Sequence, residues 1–198
     1  MISTIIFDLS EVYLSGMYGI EEKISKIADL SSPQEELYLQ KEAEEFFHGQ
    51  ISEDEFWTRL NNKFKWGLKV DDLKKLIRDQ MIEIEGTREI LESLHQQGYK
   101  LGLLSIHARE WVDHLEQRFD YHRLFHSRLY SFEVALCKPE RRAFEMILQK
   151  LDVAPQKALF VDDYDVNTKA AAELGINVIQ FENAQQLKRD LWSIGIII

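Results

Sequence analysis

Short apolar runs alternate with amphipathic segments along most of the chain, and this alternation predicts an α/β fold. The first run, residues 2–7, contains β-branched residues and is typical of a strand buried on both faces. Further strands are expected over residues 99–105, 128–132, 158–162 and 177–181. Helices are expected over residues 87–97, 109–118, 139–151, 168–174 and 184–192. Strands and helices that alternate in this way predict a parallel sheet with helices on both faces.

The segment between the first two strands has a different pattern. From about residue 20 to residue 85 it is charged, with apolar residues at helical spacing. Helix starts are expected at Ser32-Pro33, at Ser52 with Glu55 as its capping partner, and at Asp71. We interpret the segment as a helical cap, so that residues 1–14 and 86–198 form the core and residues 15–85 the cap.

Composition and charge narrow the functional classes. The chain has 198 residues, enough for one buried domain or for a core with a small inserted one. Its net charge of −10 argues against nucleic acid as a partner, because a phosphate backbone requires a positive surface. The single cysteine, Cys137, cannot form an internal disulfide, which favours the cytoplasm. The apolar start reads as a strand and not as a signal peptide, and residues 194–198 are too few to span a membrane.

Polar residues follow several of the predicted strands. Asp8 follows the first strand, Ser105 ends the second, and Asp162 and Asp163 end the strand of residues 158–162. Lys138, at the expected start of a helix, is placed to reach the same edge. Because ligands of open α/β sheets bind beyond the carboxyl ends of the strands, we expect these side chains to share one site.

This set of residues suits phosphate chemistry. Neighbouring carboxylates repel one another, and a hard cation such as Mg²⁺ relieves the repulsion while it binds phosphate oxygens. A carboxylate beside the ion can attack phosphorus and form an aspartyl-phosphate, with Lys138 balancing the charge and Ser105 donating a hydrogen bond. Each of these residues also has an ordinary structural interpretation. Asp8 would then be a turn residue, the acidic pair would lie in a solvated loop, and Lys138 would be a surface lysine.

Four short motifs resemble, in order, those of the haloacid dehalogenase superfamily. They are FDLSEV at 7–12, LLS at 103–105, Lys138-Pro139, and FVDDYDVN at 160–167. The stretch HGQISEDEFW at 48–57 is similar to the branch that includes bacterial glucose-1-phosphate phosphatases and the N-terminal phosphatase domain of epoxide hydrolase. The resemblance covers essentially the whole chain and implies a Rossmann-like parallel sheet with an inserted α-helical cap.

The resemblance also implies roles at the reacting centre. Asp8 would be the nucleophile, and Lys138 would orient both the nucleophile and the phosphate. Ser105, Ile106 and His107 would join Lys138 in binding phosphate or substrate. A sugar phosphate is the first expectation for the substrate.

The implied cofactor is Mg²⁺. Asp8, Asp162 and Asp163 would hold it together with the backbone carbonyl of Ser10, and Asn167 would support the metal loop. The function implied is that of a cytoplasmic, Mg²⁺-dependent phosphatase that acts on a small phosphorylated metabolite, as a monomer or homodimer, without nucleic-acid or membrane partners.

Three positions depart from the family pattern. Ser10 replaces an Asp that usually protonates the leaving group, and losing such a group costs roughly 10²–10⁴-fold in rate. Glu11 is a possible substitute, but adjacent residues on a strand point to opposite faces; His107 is another. Ile106 stands where relatives often have Asn, and Ala135 where Gly often precedes the Lys motif.

Two other functions remain open. A 2-haloacid dehalogenase would use Asp8 without a metal, although the acidic pair argues against it. A non-catalytic binding or regulatory protein with the same fold would explain Ser10 and Ile106.

The remaining conspicuous residues are interpreted as structural. His122 and His126 have the spacing of one helix face but no acidic partner motif, and the glutamates of residues 42–55 are expected on solvated helix faces. The aromatic residues of the cap are expected to form its core, with one or two lining the pocket: Phe46, Phe47, Phe56, Trp57, Phe64 and Trp66.

Overall fold

The computed structural model describes residues 1–16, 18–29 and 36–198. Within these ranges, five parallel strands form one sheet in the order β3-β2-β1-β4-β5. The strands are β1 (Thr4–Phe7), β2 (Lys100–Ser105), β3 (Ser127–Tyr130), β4 (Ala158–Asp162) and β5 (Asn177–Gln180). The predicted parallel α/β sheet is therefore confirmed.

Helices occupy most of the rest of the described chain. Four lie between β1 and the last helix before β2: α1 (Ile20–Ile27), α2 (Lys41–Phe47), α3 (Glu53–Phe64) and α4 (Val70–Gln80). The others are α5 (Thr87–Gln96), α6 (Arg109–Phe119), α7 (Ser131–Val134), α8 (Arg141–Lys150), α9 (Asp165–Glu173) and α10 (Ala184–Ser193). None of the helices in the described ranges combines the length and the apolar character that crossing a lipid bilayer requires.

The central strand β1 is buried on both faces, as its sequence predicts. Ile5 and Phe7 pack into the larger apolar cluster, while Ile6 packs into a second cluster on the opposite face of the sheet. Successive side chains of a strand point to opposite faces, so an unbroken apolar run is required at this central position. The burial holds β1 between β2 and β4 and brings the carboxyl ends of the three strands to one edge.

The chain leaves the sheet and returns to it along paired backbone. The Ser15 N–H donates to the Ile82 carbonyl (2.8 Å), and the Ile84 N–H donates to the Tyr13 carbonyl (2.9 Å). These hydrogen bonds lie close to both predicted boundaries of the cap. The division into a core of residues 1–14 and 86–198 and a cap of residues 15–85 stays a prediction.

Several helix ends follow from local sequence. Ser52 Oγ accepts a hydrogen bond from the Glu55 N–H (3.3 Å) and caps α3 as predicted. Gly98 adopts a left-handed φ of 84° just after α5, where a residue without a side chain is favoured. The helix expected near Asp71 begins at Val70. The helix start expected at Ser32-Pro33 lies outside the described residues.

Two predicted bounds are wrong around the Lys138 loop. The strand expected over residues 128–132 ends at Tyr130, because the Glu133 carboxylate accepts the Tyr130 N–H (3.3 Å) and α7 begins. The helix expected over residues 139–151 begins only at Arg141. A turn precedes it, in which the Glu140 carboxylate accepts the Cys137 N–H (2.8 Å), so Lys138 lies in this turn and not at a helix start.

One glutamate of residues 42–55 is buried, contrary to the expectation of solvated faces. Glu53 is 2% exposed, and its Oε1 accepts hydrogen bonds from the indole N–H groups of Trp111 (2.8 Å) and Trp57 (3.4 Å). Arg78 forms an ion pair with the same carboxylate. Through these contacts Glu53 connects α3 and α4 to α6.

Most of the aromatic residues expected in the cap core are buried. Phe46 stacks on Phe56 with ring centroids 4.5 Å apart and meets Trp111 edge to face at 5.0 Å. Trp57 is fully buried, whereas Phe47 is only partly buried. The cluster therefore also packs the cap helices against α6.

Candidate active site

The sheet brings three acidic residues together at its carboxyl edge. Asp8 follows β1, and its N–H donates to the Val161 carbonyl (2.9 Å), which extends the pairing with β4 by one residue. Asp162 ends β4, and Asp163 follows it. One carboxylate oxygen from each aspartate lies within 4.8 Å of the other two. Parallel strands end at a common edge, so residues far apart in sequence meet here.

The Lys138 ammonium bridges two of these carboxylates. Its Nζ lies 2.7 Å from Asp8 Oδ2 and 2.6 Å from Asp162 Oδ2, and the residue is 5% exposed. Burial lowers the pKa of Lys138, but the negative charges of Asp162 and Asp8 outweigh it, so the pKa is raised above its ordinary value. The ammonium therefore stays charged between its partners.

The Asp162 carboxylate is fully engaged with protein donors. Its Oδ1 accepts from the Tyr164 N–H (2.9 Å) and from Asn167 Nδ2 (3.0 Å), and its Oδ2 accepts from Lys138 and from Asn167 (3.2 Å). Two carboxylate oxygens offer about four acceptor positions, so these donors occupy the usual capacity of the group. Asp162 thus positions Lys138 and Asn167.

Asp8 and Asp163 both have raised pKa values. Burial, partly opposed by Lys138 and reinforced by Asp162, raises the pKa of Asp8 to about 7. Burial and then the charge of Asp162 raise the pKa of Asp163 to about 6. Three carboxylates meet one ammonium, which leaves two negative charges in excess when all are ionised. A divalent cation has the charge that this excess requires.

The donor set fits Mg²⁺ in type as well as in charge. Asp8 and the half-buried Asp163 both face the cavity at this edge, and carboxylate oxygens are the ligands that Mg²⁺ prefers. Asp8 Oδ1 also accepts the Leu9 N–H (2.6 Å), which holds its carboxylate in one orientation.

Ser10 and Glu11 lie in the loop after β1. Because β1 ends at Phe7, the alternation of side chains along a strand does not extend to them, and both residues line the cavity. Glu11 has a left-handed φ of 58°, and its Oε1 accepts the Gly16 N–H (2.6 Å). Burial raises the pKa of Glu11. The expectation that Ser10 and Glu11 point to opposite faces of a strand is wrong, because β1 ends before both residues.

The loop after β2 carries the residues expected to bind phosphate. Ser105 is 2% exposed, and within the described part of the chain its Oγ has no hydrogen-bond partner. Such an unpaired buried hydroxyl is costly unless a ligand satisfies it. Ile106 and His107 line the cavity, whereas Ser105 is not part of its lining.

His107 is held as a neutral ring. Its Nδ1 accepts the Ala108 N–H (3.1 Å), so the ring proton sits on Nε2. The His107 N–H donates to Ser131 Oγ (3.1 Å), which anchors the loop. Burial lowers the pKa of His107 to about 4, so near neutral pH the ring is a hydrogen-bond donor and not a charged acid.

A cavity of about 340 Å³ opens beside the acidic cluster. Several charged and polar residues line it: Asp8, Ser10, Glu11, Lys138, Asp163 and Asn167. Aromatic residues contribute much of the remaining lining: Tyr18, Tyr38, Phe47, Trp111 and Tyr164. Phe47 agrees with the expectation that a cap aromatic lines the pocket. The other four were not predicted: Tyr18, Tyr38 and Trp111 lie outside the four motifs, and Tyr164 lies inside the motif at 160–167 but was given no role.

The paired histidines His122 and His126 have structural contacts. His122 Nε2 lies 2.9 Å from the Tyr130 hydroxyl, and His126 Nδ1 accepts the Leu101 N–H (3.1 Å). Neither residue lines the cavity.

Comparison with protein families gives a match over most of the chain. The family described as haloacid dehalogenase-like hydrolase matches residues 5–181. An enzyme of this class from Bacteroides thetaiotaomicron, solved with magnesium and inorganic phosphate, superimposes with a TM-score of 0.79. The alignment covers 94% of this chain and 99% of that one at 21% identity, which shows a shared fold.

Two curated relatives are similar in sequence. Flavin mononucleotide hydrolase 1 of Arabidopsis thaliana is 27% identical over 154 residues, 77% of this chain and 61% of that protein. A phosphorylated carbohydrates phosphatase of Thermotoga maritima is 28% identical over 110 residues, 55% of this chain and 50% of that protein. The matched regions thus span about half to three-fifths of these relatives.

Proposed function

We propose that this chain, which belongs to the haloacid dehalogenase-like hydrolase family, is a Mg²⁺-dependent phosphatase that acts on a small phosphorylated metabolite. The observation that carries the proposal is the cluster of Asp8, Lys138, Asp162 and Asp163 at the carboxyl edge of the sheet. It places a fixed carboxylate, a buried ammonium and a surplus of negative charge beside one cavity.

Asp8 is the proposed nucleophile. One of its carboxylate oxygens attacks phosphorus, the bond between phosphorus and the ester oxygen breaks, and the leaving alcohol takes up a proton. Water then attacks the aspartyl-phosphate, releases inorganic phosphate and restores the Asp8 carboxylate. Lys138 and the Leu9 N–H, which each contact one Asp8 oxygen, hold the carboxylate ready for attack.

The proposed metal ligands are Asp8, Asp163 and the backbone carbonyl of Ser10. A bound Mg²⁺ would neutralise phosphate oxygens and the carboxylates around them. Asp162 was expected to share this task, but its oxygens already accept four hydrogen bonds from Tyr164, Asn167 and Lys138. We therefore assign Asp162 chiefly to holding Lys138 and Asn167 in place.

Phosphate recognition is proposed for the loop after β2. Ser105 Oγ, which has no partner within the described residues, would donate to a phosphate oxygen, and the backbone N–H of Ile106 would add a second donor. His107 Nε2–H is proposed as a third donor facing the cavity. Its neutral state argues against His107 as the replacement acid.

Proton transfer is proposed for Glu11. Ser10 is a poor acid near neutral pH, whereas Glu11 brings a carboxyl group to the same cavity. Only Oε1 of Glu11 accepts the Gly16 N–H, which leaves Oε2 for the leaving group or for water.

The substrate class does not follow from similarity. One relative is named for flavin mononucleotide and the other for phosphorylated carbohydrates, and both are less than 30% identical to this chain. The relatives therefore support a phosphorylated metabolite as the substrate, but not a particular class of metabolite.

The test measures phosphate release from a panel of phosphomonoesters with and without Mg²⁺, for the wild type and for Asp8→Asn. Turnover that requires both Mg²⁺ and Asp8 would support a phosphatase. Release of halide from 2-haloacids without metal would favour a dehalogenase instead. Phosphate binding without any turnover would point to a non-catalytic protein.

A further inference from the structure

We propose that the group esterified to the phosphate in the true substrate carries a planar aromatic ring, an inference that rests on the proposed function and names its substrate class. It replaces the sugar phosphate expected from the branch resemblance. Aromatic and aliphatic side chains in the lining of the cavity support this substrate class.

The lining of the cavity combines charged groups with aromatic and aliphatic side chains. The carboxylates and Lys138 lie at the carboxyl edge of the sheet, where the phosphate would lie. Phe47, Met81 and Trp111 are among the apolar side chains of the lining. A sugar hydroxyl placed against these side chains would lose water without gaining a partner.

Three exposed tyrosines also line the cavity. Tyr18, Tyr38 and Tyr164 are exposed by 56%, 41% and 53%, and all three line the cavity. Large aromatic side chains left in water around a pocket are typical of a ligand-binding surface. The rings of Tyr18 and Tyr38 lie 6.2 Å apart at an interplanar angle of 75°, so their faces and edges are available in different directions.

One of these tyrosine hydroxyls is already engaged within the protein. The Tyr38 hydroxyl already donates to Glu36 (2.6 Å), so its ring is what remains for the cavity. Tyr164 is fixed through its backbone, whose N–H donates to Asp162 Oδ1, while its side chain remains exposed. The ring of Tyr164 therefore starts from a rigid position next to the acidic cluster.

Size is also consistent with one ring system. A cavity of about 340 Å³ lies near the lower end of the range of roughly 300–1,000 Å³ for small-molecule sites. Such a space suits a phosphate joined to a compact planar group. Aromatic side chains favour planar rings in offset-stacked or edge-to-face geometry beyond the simple burial of area.

The test compares the binding of benzylphosphonate, cyclohexylmethylphosphonate and glucose 6-phosphate by calorimetry, with Mg²⁺ present. The two phosphonates share a head group and a six-membered ring and differ in planarity and aromaticity. We expect benzylphosphonate to bind about 2- to 10-fold more tightly than cyclohexylmethylphosphonate, and the sugar phosphate to bind more weakly than both.

Variants at Tyr164 identify the source of the preference. Tyr164→Phe should keep it, whereas Tyr164→Leu should weaken benzylphosphonate binding by about 2- to 10-fold and leave cyclohexylmethylphosphonate nearly unchanged. Trp192→Leu is the matched control, because Trp192 is 70% exposed and does not line the cavity. Equal binding of the two phosphonates, tighter binding of the sugar phosphate, or no binding of any of the three would overturn the inference.

A parallel assay of phosphate release separates this inference from the proposed function. Faster turnover of glucose 6-phosphate than of benzyl phosphate, judged by kcat/KM, would reject the aromatic substrate while the phosphatase stands. Selective binding of benzylphosphonate without turnover of any ester would reject the phosphatase while the aromatic site stands.

Discussion

Lys138 Nζ lies 2.7 Å from Asp8 Oδ2, although 130 residues separate the two in the chain. The contact is nearly excluded from solvent and is shared with Asp162. It joins the proposed nucleophile to the turn before α8 and places a positive charge at the carboxyl edge of the sheet.

Replacing Lys138 should cost both stability and activity. In Lys138→Met two buried carboxylates lose their counterion, which should lower the free energy of unfolding by about 3–5 kcal/mol. The loss of charge at the phosphate should also lower kcat by about 10²–10³-fold. Urea denaturation and phosphate release measure the two effects.

Lys169→Met is the control for Lys138→Met. Lys169 pairs with Asp165 on the surface of α9 and is 73% exposed, so its loss should leave the free energy of unfolding nearly unchanged. Equal stability of the two variants would contradict the role of Lys138 as a buried counterion.

Mg²⁺ should stabilise the folded protein through Asp163. A ligand that binds only the folded state at 100 times its Kd stabilises it by about 2.7 kcal/mol, which raises Tm. Asp163→Asn should remove most of this rise in a thermal melt. Asp165→Asn, which changes an exposed carboxylate in the adjoining helix, should keep it. A full Mg²⁺ response in Asp163→Asn would remove this residue from the metal site.

Glu11→Gln tests proton transfer without disturbing the loop. The amide oxygen can still accept the Gly16 N–H, so the backbone turn is kept. For an alkyl phosphate, whose leaving group needs a proton, we expect kcat to fall by about 10²-fold or more. For 4-nitrophenyl phosphate the fall should be small, because nitrophenolate leaves without a proton. Equal losses on both esters would indicate a positioning role instead.

His107 should make the protein less stable in acid. Its pKa is about 4 in the folded state against 6.5 for a free ring, so folding favours the neutral form. The residue has no effect on the free energy of unfolding well above pH 6.5, and the free energy falls as the pH drops from 6.5 towards 4. The loss should reach about 3 kcal/mol, from about 1.4 kcal/mol for each pKa unit.

His107→Asn measures this contribution. Asn keeps an acceptor for the Ala108 N–H but does not titrate in this range. Urea denaturation at several pH values between 7 and 4 should show a smaller decline for the variant than for the wild type. Identical declines would mean that other groups cause the acid sensitivity.

The sequence was sufficient to predict the sheet and the main members of the acidic cluster. Apolar runs such as that before Asp8 have to be buried on both faces, and polar residues directly after such runs fall at the carboxyl edge of a parallel sheet. Asp8, Asp162 and Asp163 could therefore be placed together from chain order alone. The local capping of α3 by Ser52 was predictable for a similar reason, since it involves residues three apart.

Predictions failed where a distant contact or the end of an element decided the outcome. Glu53 looked like one of several surface glutamates, but Trp111 and Arg78 approach it from other helices and make its burial possible. Glu11 was expected to face away from the site only because β1 was assumed to continue past Phe7. Neither the contacts of Glu53 nor the end of β1 before Glu11 produces a periodic pattern in the sequence.

Most of the aromatic residues that line the cavity were also missed, because distant contacts decide their positions. Tyr18, Tyr38 and Trp111 come from three separate segments, and nothing in their local sequence distinguishes them from other aromatic residues. Tyr164 lies in the motif at 160–167, but the motif does not show that its ring lines the cavity. The amino-acid sequence by itself determined the parallel sheet and the acidic residues at its edge, because short apolar runs indicate strand burial and strand direction. Only the tertiary structure decided which side chains face the substrate, because that depends on how separate helices and loops pack around one cavity.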